Sequence, residues 1–133
     1  MNSLVDTVTL TPLYAALLGL VLLVLSGRVI AAVRAKGVML GDGDDPGHLA
    51  LIRSQGNFIE YVPMALILIG FAEAGGASDA WIHGLGGTLL LARVLHPIGM
   101  SPDPKPNPFR FVGTVATLLV LLVSSVLLLV QRM

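Results

Sequence analysis

Four stretches of this chain are long and apolar enough to cross a lipid bilayer. They run from about Thr11 to Ala35, Gly47 to Ala74, Trp81 to Gly99 and Phe109 to Val130. A hydrocarbon core about 30 Å thick is covered by about 20 helical residues. Lipid cannot satisfy backbone N–H and C=O groups, so spans of this length must be helices. The expected fold class is therefore an all-α integral membrane protein, a four-transmembrane-helix bundle forming one domain over residues 1–133. Of the 133 residues, 55% are hydrophobic and 12% charged, against about 25% charged in a soluble domain.

The formal net charge is zero, which gives a nucleic-acid partner no electrostatic support. The absence of cysteine excludes disulfides, thiolate metal sites and a protein thiol nucleophile. Any thiol chemistry must use a thiol brought by a ligand. No metal is expected: Asp42, Asp44 and Asp45 lack an EF-hand's length and closing Glu, and His48 and His83 stand far apart. The first nine residues carry Asp6 and no basic residue, unlike a secretory n-region. The first positive charge, Arg28, follows the first apolar run, as in a retained anchor whose N-terminus is outside the cytoplasm.

Gly41 to Gly47 is a turn-rich loop in which Asp45-Pro46 reads as an N-cap followed by proline at the first helical position. Gly75 to Asp79 is a short turn. Ser101 to Pro108 has proline at every second place, which enforces an extended linker, and Asn107-Pro108 caps the fourth span. Arg28, Arg34, Lys36, Arg53, Arg93, Lys105 and Arg110 lie on, or point toward, the side of the first and third loops, and only Arg132 lies opposite. The positive-inside rule then puts those loops in the cytoplasm and both termini outside it. Pro63 and Pro97 are expected to bend their helices, and Gly84, Gly86, Gly87 and Gly99 suit close helix contacts in lipid.

The second span opens with Arg53-Ser54-Gln55-Gly56-Asn57-Phe58-Ile59-Glu60-Tyr61-Val62-Pro63. Arg53, Asn57, Glu60 and Tyr61 project from one side of a helix. Polar groups in a membrane span are costly and commonly mark function. A guanidinium fork holds a carboxylate, a carboxylate holds an ammonium, an amide both donates and accepts, and a phenol stacks and donates. Such a face suits a small zwitterion, such as a peptide. The structural alternative is that Arg53 and Glu60 neutralise each other, but seven residues put them about 10 Å apart along the axis, so a direct pair is expected to be strained. Gln55 sits about 160° around the helix from Arg53.

These residues resemble the second-helix signature of the MAPEG family, the membrane-associated proteins in eicosanoid and glutathione metabolism. The form is similar to that of leukotriene-forming synthases and bacterial relatives. Ala92-Arg93-Val94-Leu95-His96 resembles the Ala-Arg-x-x-His pattern of microsomal glutathione transferases, and a Pro-Asn-rich loop, an arginine and a fourth span follow in the same order. The resemblance covers nearly the whole chain. It implies a homotrimer of four-helix subunits in the membrane, the inner membrane for a bacterial protein. Glutathione, a co-substrate, would lie between subunits near the cytoplasmic face. Arg53, Asn57, Glu60 and Tyr61 would bind it from one subunit and Gln55 from the next.

Arg110 is the candidate for catalysis. It stands near the start of the fourth span, where a helix N-terminus carries partial positive charge. A guanidinium there favours thiolate over a thiol with an ordinary pKa of about 8.5, the role the resemblance assigns it. The alternative is an arginine snorkelling to the interface. Arg34, Arg93 and His96 are further candidates for the ligand, set against roles as an interfacial anchor or, for His96, as a packing histidine. The leukotriene-forming enzymes have tyrosines where His96 and Met100 fall, which argues against assuming an eicosanoid substrate. The expected activity is a glutathione transferase, with glutathione peroxidase activity as a variant, acting on a lipophilic electrophile or hydroperoxide. A small four-span cation exporter built on Glu60 and a MAPEG-fold scaffold without transferase activity are the competing classes.

Overall fold

The computed structural model describes residues 7–103 and 105–133. Asp6 and Pro104, both used in the sequence reading, lie outside the described residues. Among the described residues the chain is all-α, with four long helices in sequence: α1 Thr11–Lys36, α2 Pro46–Ala74, α3 Asp79–Ile98 and α4 Pro108–Arg132.

Helices α1, α2 and α4 are long and apolar enough to cross a membrane. Helix α3 has 20 residues, a rise of about 30 Å, which still matches the hydrocarbon core. It is less apolar because it carries His83, Arg93, His96 and three glycines. Arg93 and His96 are buried, while His83 is exposed.

Each helix begins and ends for a local reason. Asp45 accepts a hydrogen bond from the His48 backbone N–H at 3.0 Å, with Pro46 at the first helical position. Asn107 Oδ1 accepts from the Phe109 N–H at 2.9 Å, ahead of a helix that also starts on proline. Gly37 closes α1 in the left-handed conformation at φ 67°, where glycine has no steric penalty. Pro63 lies inside α2, which continues to Ala74. Pro97 is the penultimate residue of α3, which runs on to Ile98.

The N-terminus of α1 has no cap from its own chain segment. Glu73, at the end of α2, supplies it. Its carboxylate accepts from the backbone N–H groups of Thr9, Leu10 and Thr11 at 2.8, 2.6 and 2.8 Å. A negative charge at the C-terminal end of α2 is unfavourable for that helix, but the positive end of α1 lies against it and offsets the cost.

Helix α2 packs against all three others, α3 packs most extensively on α4, and α1 rests on α2 and α3. The core joins Leu18 and Leu25 with Phe58, Val62, Ala65 and Ile69, then Ile82, Leu85 and Leu89, and Val120. Large apolar residues such as Leu23, Leu91, Leu122 and Leu129 face outward, as lipid requires. Glycines permit two close crossings. A Cβ on Gly86 would fall 2.4 Å from the Tyr14 ring, and that ring's hydroxyl pairs with His83 Nδ1 at 2.7 Å. One on Gly113 would fall 2.8 Å from His96 Cβ. Gly84 has nothing within 4 Å in its own chain: it faces away from the bundle.

The connection between α1 and α2 is pinned by an ion pair between Lys36 and Asp45. That hydrogen bond, with the one from the His48 N–H, holds the Asp45 carboxyl below the usual carboxylate range.

Candidate functional site

The end of the bundle that carries the α1–α2 and α3–α4 connections holds a polar cleft with a volume of about 280 Å³. That is close to the lower end of ligand pockets, about 300 Å³. Helix α2 lines one wall with Pro46, Leu49, Ala50, Arg53 and Asn57, positions that recur every three or four residues along one helix face. Helix α3 contributes His96, the connection contributes Met100 to Asp103, and α4 contributes Arg110.

Four of the residues singled out in the sequence therefore meet in one place: Arg53, Asn57, His96 and Arg110. They come from three helices. Arg110 is the third residue of α4, and among the described residues its guanidinium makes no hydrogen bond or ion pair. It stands in the first turn, where the helix end adds partial positive charge.

Arg93 does not line the cleft. It is 1% exposed and holds the cleft's wall from behind. Its guanidinium donates to Asn57 Oδ1 at 2.7 Å, to the Gly113 carbonyl at 3.0 Å and to Thr117 Oγ1. One planar fork thus ties α2, α3 and α4 together. Arginine has no acceptor, so Asn57 must present its carbonyl oxygen to Arg93. Its NH2 group is left as a donor for the cleft.

The other candidates lie elsewhere. Gln55 is on a different face of α2 and donates to Ser26 Oγ of α1 at 2.8 Å. Glu60 and Tyr61 continue α2 beyond the cleft lining, Glu60 exposed and Tyr61 half-buried. Arg34 is exposed in the last turn of α1. Arg53 and Glu60 do form an ion pair, at 3.4 Å, contrary to the strain expected at a spacing of seven. Both side chains are long and extend toward each other along the helix surface, closing the gap. They are about half exposed, where such a pair contributes about 0–1 kcal/mol and yields readily to a ligand.

Sequence reading missed two contributors. The Ser101–Pro108 stretch reads in the sequence as a linker alone, yet Ser101, Pro102 and Asp103 line the cleft. Thr117, whose hydroxyl accepts from Arg93 and donates to the Gly113 carbonyl at 2.8 Å, sits in an otherwise apolar run. Its spacing of seven from Arg110 was the available signal.

Chemically the cleft is rich in donors. Arg53, Arg110 and the Asn57 amide all present N–H groups, which suits carboxylates and a thiolate. Asp103 is the carboxylate in the lining, and Leu49, Ala50 and Met100 supply apolar walls. Among the described residues no group of three or more His, Asp or Glu is placed to hold a metal ion.

The profile of the MAPEG family matches residues 11–130. The Inner membrane protein YecN of Escherichia coli strain K12 is 37% identical over 87 residues, covering 65% of this chain and 66% of the relative. The protein of the same name from Escherichia coli O6:H1 strain CFT073 is similar to the same extent, 37% over 87 residues. The chain thus spans 66% of the length of the curated relatives it matches.

Proposed function

The chain belongs to the MAPEG family, and from that membership we propose that it is an inner-membrane glutathione transferase, with glutathione peroxidase activity as its variant. The observation that carries this reading is the convergence of Arg53, Asn57 and Arg110 on one cleft at the bundle's end.

Glutathione enters from the cytoplasm, with both termini of the protein on the opposite side. A carboxylate of the tripeptide takes the place of Glu60 at the Arg53 guanidinium, and the Asn57 amide donates to a neighbouring ligand oxygen. The thiol lies at Arg110 and the N-terminus of α4, where positive charge holds the sulfur as thiolate. The thiolate then forms a C–S bond to a lipophilic electrophile as the leaving group departs. With a hydroperoxide, two glutathione molecules are oxidised to the disulfide while the peroxide becomes alcohol and water. The apolar substrate arrives through the bilayer.

The protein works as a homotrimer, in which Glu60, Tyr61 and Arg34, outside the cleft of a single chain, complete the site at the subunit seam, and Gln55 reaches a neighbour's ligand by exchanging its hydrogen bond to Ser26. A cation exporter built on Glu60 requires a lone carboxylate deep in a span. Glu60 is half exposed and paired with Arg53, which disfavours that reading.

The test is glutathione binding to the detergent-purified protein, followed by the ultraviolet band of the thiolate. Wild type shows the band near neutral pH. Arg110→Ala binds glutathione without it, and Arg53→Ala weakens binding itself. Failure of wild type to take up glutathione at millimolar concentration overturns the enzymatic reading, and a MAPEG-fold scaffold then takes its place.

A further inference from the structure

We propose that Asp103, carried by the α3–α4 connection, receives the ammonium group of the bound peptide, so that the site selects thiol peptides with a free amine. The inference rests on the glutathione reading above and adds the element that sets its selectivity.

The cleft's charges are the starting point. Its lining contains the guanidinium groups of Arg53 and Arg110 and the carboxylate of Asp103. Glutathione at neutral pH carries two carboxylates and one ammonium. Two cations and one anion in the lining therefore meet two anions and one cation in the ligand. Glu60 is absent from the lining and is engaged by Arg53 at 3.4 Å, and Asp45, which precedes the lining residue Pro46, is paired with Lys36.

Asp103 has capacity for such a partner. One carboxylate oxygen accepts from the Lys105 backbone N–H at 3.1 Å. The other lies 3.7 Å from Lys105 Nζ, beyond a good hydrogen bond. The Lys105 side chain is 84% exposed, so water screens the pair. An ionised carboxylate has about four lone-pair sites, and most of those on Asp103 have no partner among the described residues. Its backbone is held in place: the Asp103 N–H donates to Ser101 Oγ at 3.0 Å, and Pro102 fixes the preceding φ. A carboxylate lining the same cleft as two guanidiniums also orients the peptide, because reversing it would place ammonium against Arg53 or Arg110.

The variant Asp103→Asn tests this without disturbing the turn, since the Asn side-chain carbonyl still accepts from the Lys105 N–H. Binding of glutathione and of N-acetylglutathione is measured by calorimetry for wild type, Asp103→Asn and Lys105→Ala in detergent. A hydrogen bond to a charged group is worth about tenfold or more in affinity. Glutathione should therefore bind Asp103→Asn about tenfold more weakly than wild type. N-acetylglutathione should bind both equally, and weakly, and Lys105→Ala should bind glutathione at least as well as wild type. If wild type binds glutathione and Asp103→Asn binds it equally well, or loses both ligands in parallel, Asp103 has no such role and the glutathione reading stands. If wild type binds no glutathione, both proposals fall together.

Discussion

Gly99 lies directly against the backbone of Arg110: a Cβ on Gly99 would stand 2.2 Å from the Arg110 nitrogen and 2.8 Å from Asn107 Oδ1. The first residue past α3 and the first turn of α4 are therefore in contact without a side chain between them. The close approach sets where the Arg110 guanidinium enters the cleft.

Gly99→Ala is expected to push the start of α4 away from α3. Of the three nearest atoms two belong to the Arg110 backbone, which cannot move aside as a side chain does. Overpacking of this kind costs about 1–3 kcal/mol. Helix content by circular dichroism should persist, while formation of bound thiolate drops about tenfold or more. A variant with wild-type thiolate titration would show that the approach does not position Arg110.

Arg93→Lys tests the buried fork. Lysine keeps the charge but cannot reach acceptors on α2 and α4 with one planar group. The guanidinium makes hydrogen bonds to Asn57, the Gly113 carbonyl and Thr117. At about 0.6–2 kcal/mol each within a membrane bundle, their loss amounts to about 2–6 kcal/mol. Thermal unfolding in detergent should shift several degrees lower. Glutathione affinity should fall with it, because the Asn57 amide is no longer held with its NH2 toward the cleft. Unchanged affinity in a destabilised variant would assign Arg93 to the bundle alone.

Glu73→Ala removes the cap that α2 provides for α1. Three backbone N–H groups, those of Thr9, Leu10 and Thr11, lose their acceptor. Loss of a helix cap costs about 1–2 kcal/mol, and more where water cannot replace it. Amide hydrogen exchange should accelerate at the start of α1 while the cleft, at the other end of the bundle, retains glutathione binding. Equal protection in the variant and wild type would show that other groups satisfy this helix end.

Local features carried much of the fold. The lengths of the apolar runs, the Asp45-Pro46 and Asn107-Pro108 starts and the one-sided spacing of Arg53 and Asn57 are properties of neighbouring residues. Backbone hydrogen bonding in lipid leaves such segments no alternative to the helix, so these were legible directly. The partnerships were not. Arg93 to Asn57, Gln55 to Ser26, Glu73 to the head of α1 and Asp103 at the cleft each join residues far apart in the chain. Whether Arg93 meets ligand or protein depends on which faces of α2 and α4 lie against α3. The amino-acid sequence by itself determined that the chain crosses the membrane as helices and where its polar groups lie along them. Only tertiary packing decided which of those groups saturate one another and which, such as Arg110, remain open to a ligand. A buried charge takes whichever partner geometry brings within hydrogen-bond reach, and that reach is set by how the helices cross.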